Sequence, residues 1–229
     1  MSKLWVYGCS FSSGQGVLGP EFDRVEGAVN GHTIHYDHCY GKSCADDLDM
    51  DLELKARSGV SNFYMFKTLC ENMDDISYDD IVVIMWTYPY RTFFNPDSLD
   101  GTIVHSIPTH SDDEDIHPSE KYYRELYSDD RCKTETTSAI MAANKLCEGR
   151  NIRLVNTTFW DTQATGGAWF FNRELLRKCD IRFPECMMTD NITNDVPFEG
   201  YDGYHPSLEA HKIYGLQLAQ YIREKYEQD

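Results

Sequence analysis

The strongest constraint on the fold is a run of six apolar residues, Ile81-Val82-Val83-Ile84-Met85-Trp86. Its β-branched and aromatic residues favour a strand, and it lacks the polar alternation of a strand with one face in water. A strand buried on both faces is typical of a parallel sheet that carries helices on each side. The run therefore predicts a central strand of an α/β domain.

Strand-like and helix-like segments alternate along the chain around this run. Further strands are predicted at residues 4–7, 52–56 and 152–155, and helices at residues 61–73, 118–149 and 206–222. Strands separated by helices predict a three-layer α/β/α sandwich with a central parallel sheet. Because no linker or repeat interrupts residues 1–229, we predict a single domain with long loop insertions at about 12–51 and 87–118.

The composition limits the partners that the chain can have. The 229 residues are 41% hydrophobic and carry a net charge of −17 at pH 7, so phosphate backbones and anionic membrane surfaces would repel the protein. No apolar window approaches the length of a membrane span, and no apolar signal core follows Met1. We therefore expect a soluble, cytoplasmic protein that is not secreted, binds no nucleic acid or membrane and keeps its eight cysteines as free thiols.

A serine follows the first predicted strand in the string Gly8-Cys9-Ser10. In open parallel sheets, ligands bind beyond the carboxyl ends of the strands. A serine on a tight turn at such an end presents its hydroxyl beside free backbone N–H groups, which suits a nucleophile. A plain turn serine gives the same string, so the string alone leaves both interpretations open.

A second string, Asp202-Gly203-Tyr204-His205-Pro206, stands just before the last predicted helix. An aspartate three residues before a histidine can reach the imidazole and fix its tautomer. The other ring nitrogen is then free to accept a proton from a serine. An aspartate turn followed by a helix start gives the same string without catalysis.

Together the two strings resemble the SGNH (GDSL-like) hydrolase family, in which Gly-Asp-Ser follows the first strand and Asp-x-x-His precedes the last helix. The resemblance implies a flavodoxin-like strand order, with Ser10 as the nucleophile, His205 as the general base and acid, and Asp202 as the residue that orients the imidazole. A glycine N–H in the family's second block helps to bind the oxyanion, and Gly59 matches it. The resemblance therefore makes Ser10 and Gly59 the backbone donors to the oxyanion.

The family's third block is missing here, since Trp86-Thr87-Tyr88 stands where Gly-x-Asn-Asp is usual. Thr87 or Tyr88 can donate a hydroxyl hydrogen bond in place of the asparagine, and Arg91 can hold an anionic part of a substrate. Cys9 replaces the family's aspartate, and we interpret it as a packing residue. Both changes resemble those of divergent bacteriophage members, which would place the protein in the cytoplasm of a host.

Trp86 and Asn62 complete the residues that we expect to bind substrate. Other aromatic residues that can line a carbohydrate cleft are Tyr88, Tyr90, Trp160 and Trp169. By family analogy the expected activity is ester hydrolysis through an acyl-serine on small acyl esters, such as acetyl groups on carbohydrates, or transfer of the acyl group to an alcohol. This chemistry requires no cofactor.

Two alternatives stay open. The string His32-x-x-His35-x-x-His38-Cys39, with Asp37 inside it, has enough ligands for zinc, although histidines of a polar loop can simply be solvated. The missing asparagine also fits a catalytically silent module of the same fold that binds a glycan or another protein. His211 is expected on the polar face of the last helix, and the sequence predicts no oligomeric state.

Overall fold

The computed structural model describes residues 2–15, 17, 36–89, 128–158, 172–182, 185–187 and 205–226. Its strands are β1 (Lys3–Gly8), β2 (Asp51–Ala56), β3 (Ile81–Trp86), β4 (Arg153–Thr158) and β5 (Cys186–Met187). They form one five-stranded sheet in the order β2-β1-β3-β4-β5, and every neighbouring pair is parallel. The predicted α/β class and the flavodoxin-like order are confirmed.

Six α-helices and a 3₁₀ turn connect these strands in the described part of the chain. The helices are α1 (Ser10–Ser13), α2 (Tyr40–Asp47), α3 (Asn62–Asn72), α4 (Asp129–Gly149), α5 (Arg173–Lys178) and α6 (Leu208–Tyr226), and the 3₁₀ turn is Tyr36–His38. None of these helices is long and apolar enough to cross a lipid bilayer. No disulfide bond links the cysteines whose side chains are described.

The helices cover both faces of the sheet. Neighbouring residues of a strand point to opposite faces. On β4, the Thr157 hydroxyl hydrogen-bonds to Tyr214 of α6, whereas the Asn156 amide donates to Asn144 of α4. α2 packs beside α6, and α3 packs beside α4. All six residues of β3 are buried, as the unalternating apolar run predicts.

Part of the predicted insertion at residues 12–51 is a helix. α2 buries Tyr40, Gly41, Cys44 and Ala45. It lies so close to α6 that a Cβ on Gly215 would come within 2.6 Å of the Tyr40 carbonyl oxygen. The prediction of a surface loop was wrong here because these buried residues are small or only weakly apolar, although their spacing is helical.

The helix predicted over residues 118–149 is described from Asp129 onward. α4 starts after Ser128, whose side chain accepts a hydrogen bond from the backbone N of Arg131. The backbone of Ser128 is extended (φ −145°, ψ 143°), as at a helix N-cap, and residues 118–127 of the predicted helix lie outside the described residues. The end at Gly149 is confirmed, and so is the start of α3 after its cap Ser61.

Candidate active site

Ser10 lies where the order of the sheet reverses. β1 pairs with β2 on one side and with β3 on the other. The chain therefore adds β2 on one side of β1 and then crosses over to add β3, β4 and β5 on the opposite side. Such a switch point is where doubly wound sheets bind their ligands. Ser10 is the first residue of α1 and comes two positions after the last residue of β1.

The turn that carries Ser10 depends on glycine at both ends. Cys9 is the extended N-cap of α1, and Gly14 ends the helix with a left-handed φ of 77°. A Cβ on Gly8 would lie 1.9 Å from Ser12 Oγ. Glycine at position 8 therefore allows α1 to fold back directly against the end of β1.

Hydrogen bonds hold α1 against the core. Ser12 Oγ is 3.0 Å from the hydroxyl oxygen of Tyr40 and donates to Met85 Sδ at 3.3 Å. Ser13 Oγ donates to the carbonyl oxygen of Ser10 at 3.0 Å. Ser10 is only 4% exposed, so it stands on a turn that buried contacts fix in place.

His205 lies against the residue that follows Ser10. Its ring centroid is 5.1 Å from that of Phe11, and the two ring planes are tilted by 51°. Two residues further on, Ser207 Oγ accepts a hydrogen bond from the backbone N of Ala210 at 3.1 Å, which caps α6. The fold thus brings the first and last sequence motifs together, whereas Asp202 lies outside the described residues and its contact with His205 stays a prediction.

Gly59 lies in the turn between β2 and α3. The backbone N of Arg57 donates to the carbonyl oxygen of Gly8 at 3.1 Å, which continues the pairing of β1 with β2 to the start of this turn. Gly59 has a φ of 78°, a conformation that favours glycine. Ser10 and Gly59 therefore follow neighbouring strand ends, and the role of their N–H groups in binding an oxyanion stays a prediction.

The side chain of Asn62 forms a hydrogen-bonded clamp on Thr87, the residue that follows β3. Its side chain accepts a hydrogen bond from Thr87 N at 2.7 Å and donates to Thr87 O at 2.9 Å and to Thr136 Oγ1 at 3.2 Å. The residue is 2% exposed. This placement contradicts the predicted contact with substrate, because the amide is already used to hold the backbone at the switch point.

The other residues of the third block differ in their placement. Trp86 is fully buried and donates its indole N–H to Asn156 Oδ1 at 2.9 Å, which contradicts the predicted contact with substrate. Thr87 Oγ1 is buried and has no hydrogen-bond partner among the described residues, and its role as a donor to the oxyanion stays a prediction. Tyr88 is half-buried. Four other residues predicted to contact substrate lie outside the described ranges, and their roles stay predictions: Tyr90, Arg91, Trp160 and Trp169.

His211 is fully buried, so its predicted place on the polar face of α6 was wrong. Its Nδ1 accepts a hydrogen bond from Tyr40 N at 3.1 Å, and its ring stacks on that of Tyr40 with centroids 6.1 Å apart. Burial, with a smaller contribution from His205, lowers the pKa of His211 to about 3. The neutral ring therefore carries its proton on Nε2, which has no partner among the described residues.

The histidine string is only partly described. His32 and His35 lie outside the described residues, and the residues that are described contain no group of three metal-ligand side chains. Burial raises the pKa of Cys39 to about 11, so its thiol is protonated at neutral pH in the metal-free chain. The zinc site stays a prediction.

Comparisons with known proteins agree with this architecture. No protein-family model matches the sequence, and no curated protein matches it. Among solved structures, the acetyl xylan esterase Est2A from the rumen bacterium Butyrivibrio proteoclasticus is 15% identical, with a TM-score of 0.57 over 99% of this chain and 64% of that chain. The esterase EstA from Pseudoalteromonas sp. is 10% identical, with a TM-score of 0.57 over 99% of this chain and 100% of that chain.

A lipolytic protein of the G-D-S-L family from Desulfitobacterium hafniense DCB-2 is 12% identical, with a TM-score of 0.55 over 96% of this chain and 99% of that chain. This chain spans 64% of the acetyl xylan esterase and 65% of another carbohydrate esterase. At such identities the likeness shows the fold alone. The chain has the fold of the SGNH hydrolases.

The sequence motifs do not assign three residues to the site: Phe11, Tyr40 and His211. Phe11 is an apolar residue beside the Ser10 motif, and Tyr40 lies in a segment that the sequence predicts to be a loop. His211 had a visible signal, since it stands four and seven residues before Gly215 and Leu218, which are buried on the same side of α6.

Proposed function

We propose that this protein is a serine ester hydrolase in which Ser10 is the nucleophile and His205 is the general base and acid. The observation that carries the proposal is the contact of the His205 ring with Phe11, the residue next to Ser10, at the switch point of the sheet. The fold that the chain shares with solved esterases supports the same chemistry.

In the proposed reaction, Ser10 Oγ forms a bond to the acyl carbon of an ester while its proton passes to His205. Collapse of the tetrahedral intermediate expels the alcohol, which takes the proton from His205, and leaves an acyl-serine. A water molecule then gives a proton to His205 while its oxygen bonds to the acyl carbon. The bond from that carbon to Ser10 Oγ breaks, Oγ takes the proton back from His205, and the acid is released. Asp202 would hold the imidazole in the tautomer that both steps need.

Three donors are proposed for the oxyanion: the backbone N–H groups of Ser10 and Gly59, and the hydroxyl of Thr87. Thr87 is supported by its buried Oγ1, which has no hydrogen-bond partner in the described part of the chain, and by the two hydrogen bonds with Asn62 that fix its backbone. A donor fixed before the reaction stabilises the developing charge without reorganisation, and one such donor is typically worth about 2.7–4 kcal/mol. A threonine would thus serve where the family has asparagine.

Small acyl esters, including acetyl groups on carbohydrates, are the proposed substrates, because the solved structures with this fold include an acetyl xylan esterase. The test is hydrolysis of p-nitrophenyl esters of increasing acyl length and of acetylated sugars. We expect turnover to be greatest with short acyl chains, and to disappear in Ser10→Ala and His205→Ala. Ser138→Ala, at an exposed serine on α4, is the matched control and should retain native activity.

The outcomes separate this proposal from the alternatives. A catalytically silent binding module would hydrolyse none of these esters, and native activity in Ser10→Ala would remove the serine from the chemistry. Loss of activity on chelation, with Ser10→Ala still active, would instead favour the metal site at His32, His35 and His38.

A further inference from the structure

We propose that Phe11 is a positioning residue for His205, which holds the imidazole beside Ser10 and stabilises its protonated form during the reaction. This inference rests on the proposed function. Phe11 is one residue from the proposed nucleophile, and its ring contacts the proposed base with centroids 5.1 Å apart. The single turn of α1 therefore carries both the Ser10 hydroxyl and the Phe11 ring that contacts His205.

The Phe11 ring is held in place by its surroundings. Phe11 is 9% exposed and belongs to the core cluster. The residue after it, Ser12, is anchored to Tyr40 and Met85, and the glycine at position 8 lets the turn sit directly on the strand end. The Phe11 ring that contacts His205 is therefore held in a fixed position.

An aromatic face attracts a cation within about 6 Å of its centroid, and the centroid of the His205 ring lies 5.1 Å from that of Phe11. In the proposed reaction the imidazole becomes a cation when it takes the proton of Ser10. The attraction therefore acts on the transition state and the intermediate, and not on the resting enzyme. The nearby His211 stays neutral because burial lowers its pKa to about 3, so His211 itself adds no positive charge that would oppose the imidazolium.

The first test is Phe11→Leu, which keeps an apolar side chain but removes the aromatic face. Its matched control is Phe66→Leu on α3, where the same exchange is made at a partly buried core position. We expect kcat to fall by about two- to thirty-fold in Phe11→Leu with KM unchanged, the range that cation–π energies correspond to. Phe66→Leu should keep the native kcat.

The second measurement does not depend on activity. In NMR titrations, the imidazole signals of His205 should titrate at lower pH in Phe11→Leu than in the native chain. A ring that only fills space would leave this titration unchanged. A native kcat in Phe11→Leu, or a reduced kcat with an unchanged titration, would overturn the inference.

Fluorinated phenylalanines at position 11 keep the test valid if Phe11→Leu does not fold. Successive fluorine atoms weaken the negative face of the ring while they nearly preserve its shape. We expect kcat to fall steadily with fluorination, and a flat series would contradict the role proposed for Phe11. If the native chain has no esterase activity at all, the proposed function fails, whereas the titration of His205 across the series still tests the contact with Phe11.

Discussion

Replacing His211 with asparagine should remove a pH dependence of stability that this buried ring creates. Asparagine Oδ1 can accept the hydrogen bond from Tyr40 N in place of Nδ1, but it does not take up a proton. Burial lowers the pKa of His211 to about 3 in the folded chain, whereas an unfolded histidine titrates near 6.5. Between these values the unfolded chain binds a proton that the folded chain does not, so the fold loses stability as the pH falls.

The two pKa values set the size of this effect. Each pH unit between them is worth about 1.36 kcal/mol, so the free energy of unfolding falls by about 2 kcal/mol by pH 5 and by about 5 kcal/mol below pH 3. Solvent does not screen the effect, because the ring is fully buried. The asparagine variant should be less stable at pH 8, since a smaller side chain leaves a cavity. Its further loss between pH 8 and pH 5 should nevertheless be about 2 kcal/mol smaller than that of the native chain.

Urea denaturation at pH 8, 7, 6 and 5, followed by tryptophan fluorescence, measures both losses. The comparison uses the difference between the two pH profiles, so other titrating groups that the chains share cancel. Equal losses in the native chain and the variant would refute the assignment of His211 as a buried neutral ring.

Three further substitutions test the close contacts around the site. Gly8→Ala should abolish ester hydrolysis, because the added Cβ would lie 1.9 Å from Ser12 Oγ and displace α1. The control Gly149→Ala should keep native activity, since a Cβ there meets nothing within 4 Å. Equal activities of the two variants would contradict this prediction. Gly215→Ala should lower the free energy of unfolding by about 1–3 kcal/mol in urea, since it forces α2 away from α6, and an unchanged midpoint would show that the helices are not so close. Asn62→Ala should lower the free energy of unfolding by about 1–3 kcal/mol in the same assay, because it leaves the backbone N–H and carbonyl of Thr87 without these hydrogen bonds. An unchanged free energy would show that Asn62 does not stabilise this backbone.

The central sheet could be predicted from local sequence because its middle strand has no polar alternation. Ile81–Trp86 is buried along its whole length, as a strand covered on both faces must be. The cap Ser61 likewise marks the start of α3 by a hydrogen bond that depends only on neighbouring residues. The strand order came from the family resemblance, since a pattern within one segment does not specify its neighbours in space.

The errors arose where tertiary contacts decide the outcome. α2 is buried through small and weakly apolar residues whose role becomes clear only beside α6. Trp86 and Asn62 were assigned to substrate because they stand near strand ends, but both side chains satisfy buried partners within the fold. A position after a strand thus indicates nearness to the site, and contacts in three dimensions decide which side chains are open to a ligand.

Reaction of the native protein with a fluorophosphonate, followed by mass spectrometry of its peptides, tests the catalytic role of Ser10 most directly. This reagent forms a stable bond to a serine that a neighbouring base activates. We expect one phosphonyl group on Ser10 in the native chain and none in His205→Ala. A native chain that stays unmodified, or one that is modified at another residue with Ser10 intact, would contradict the account.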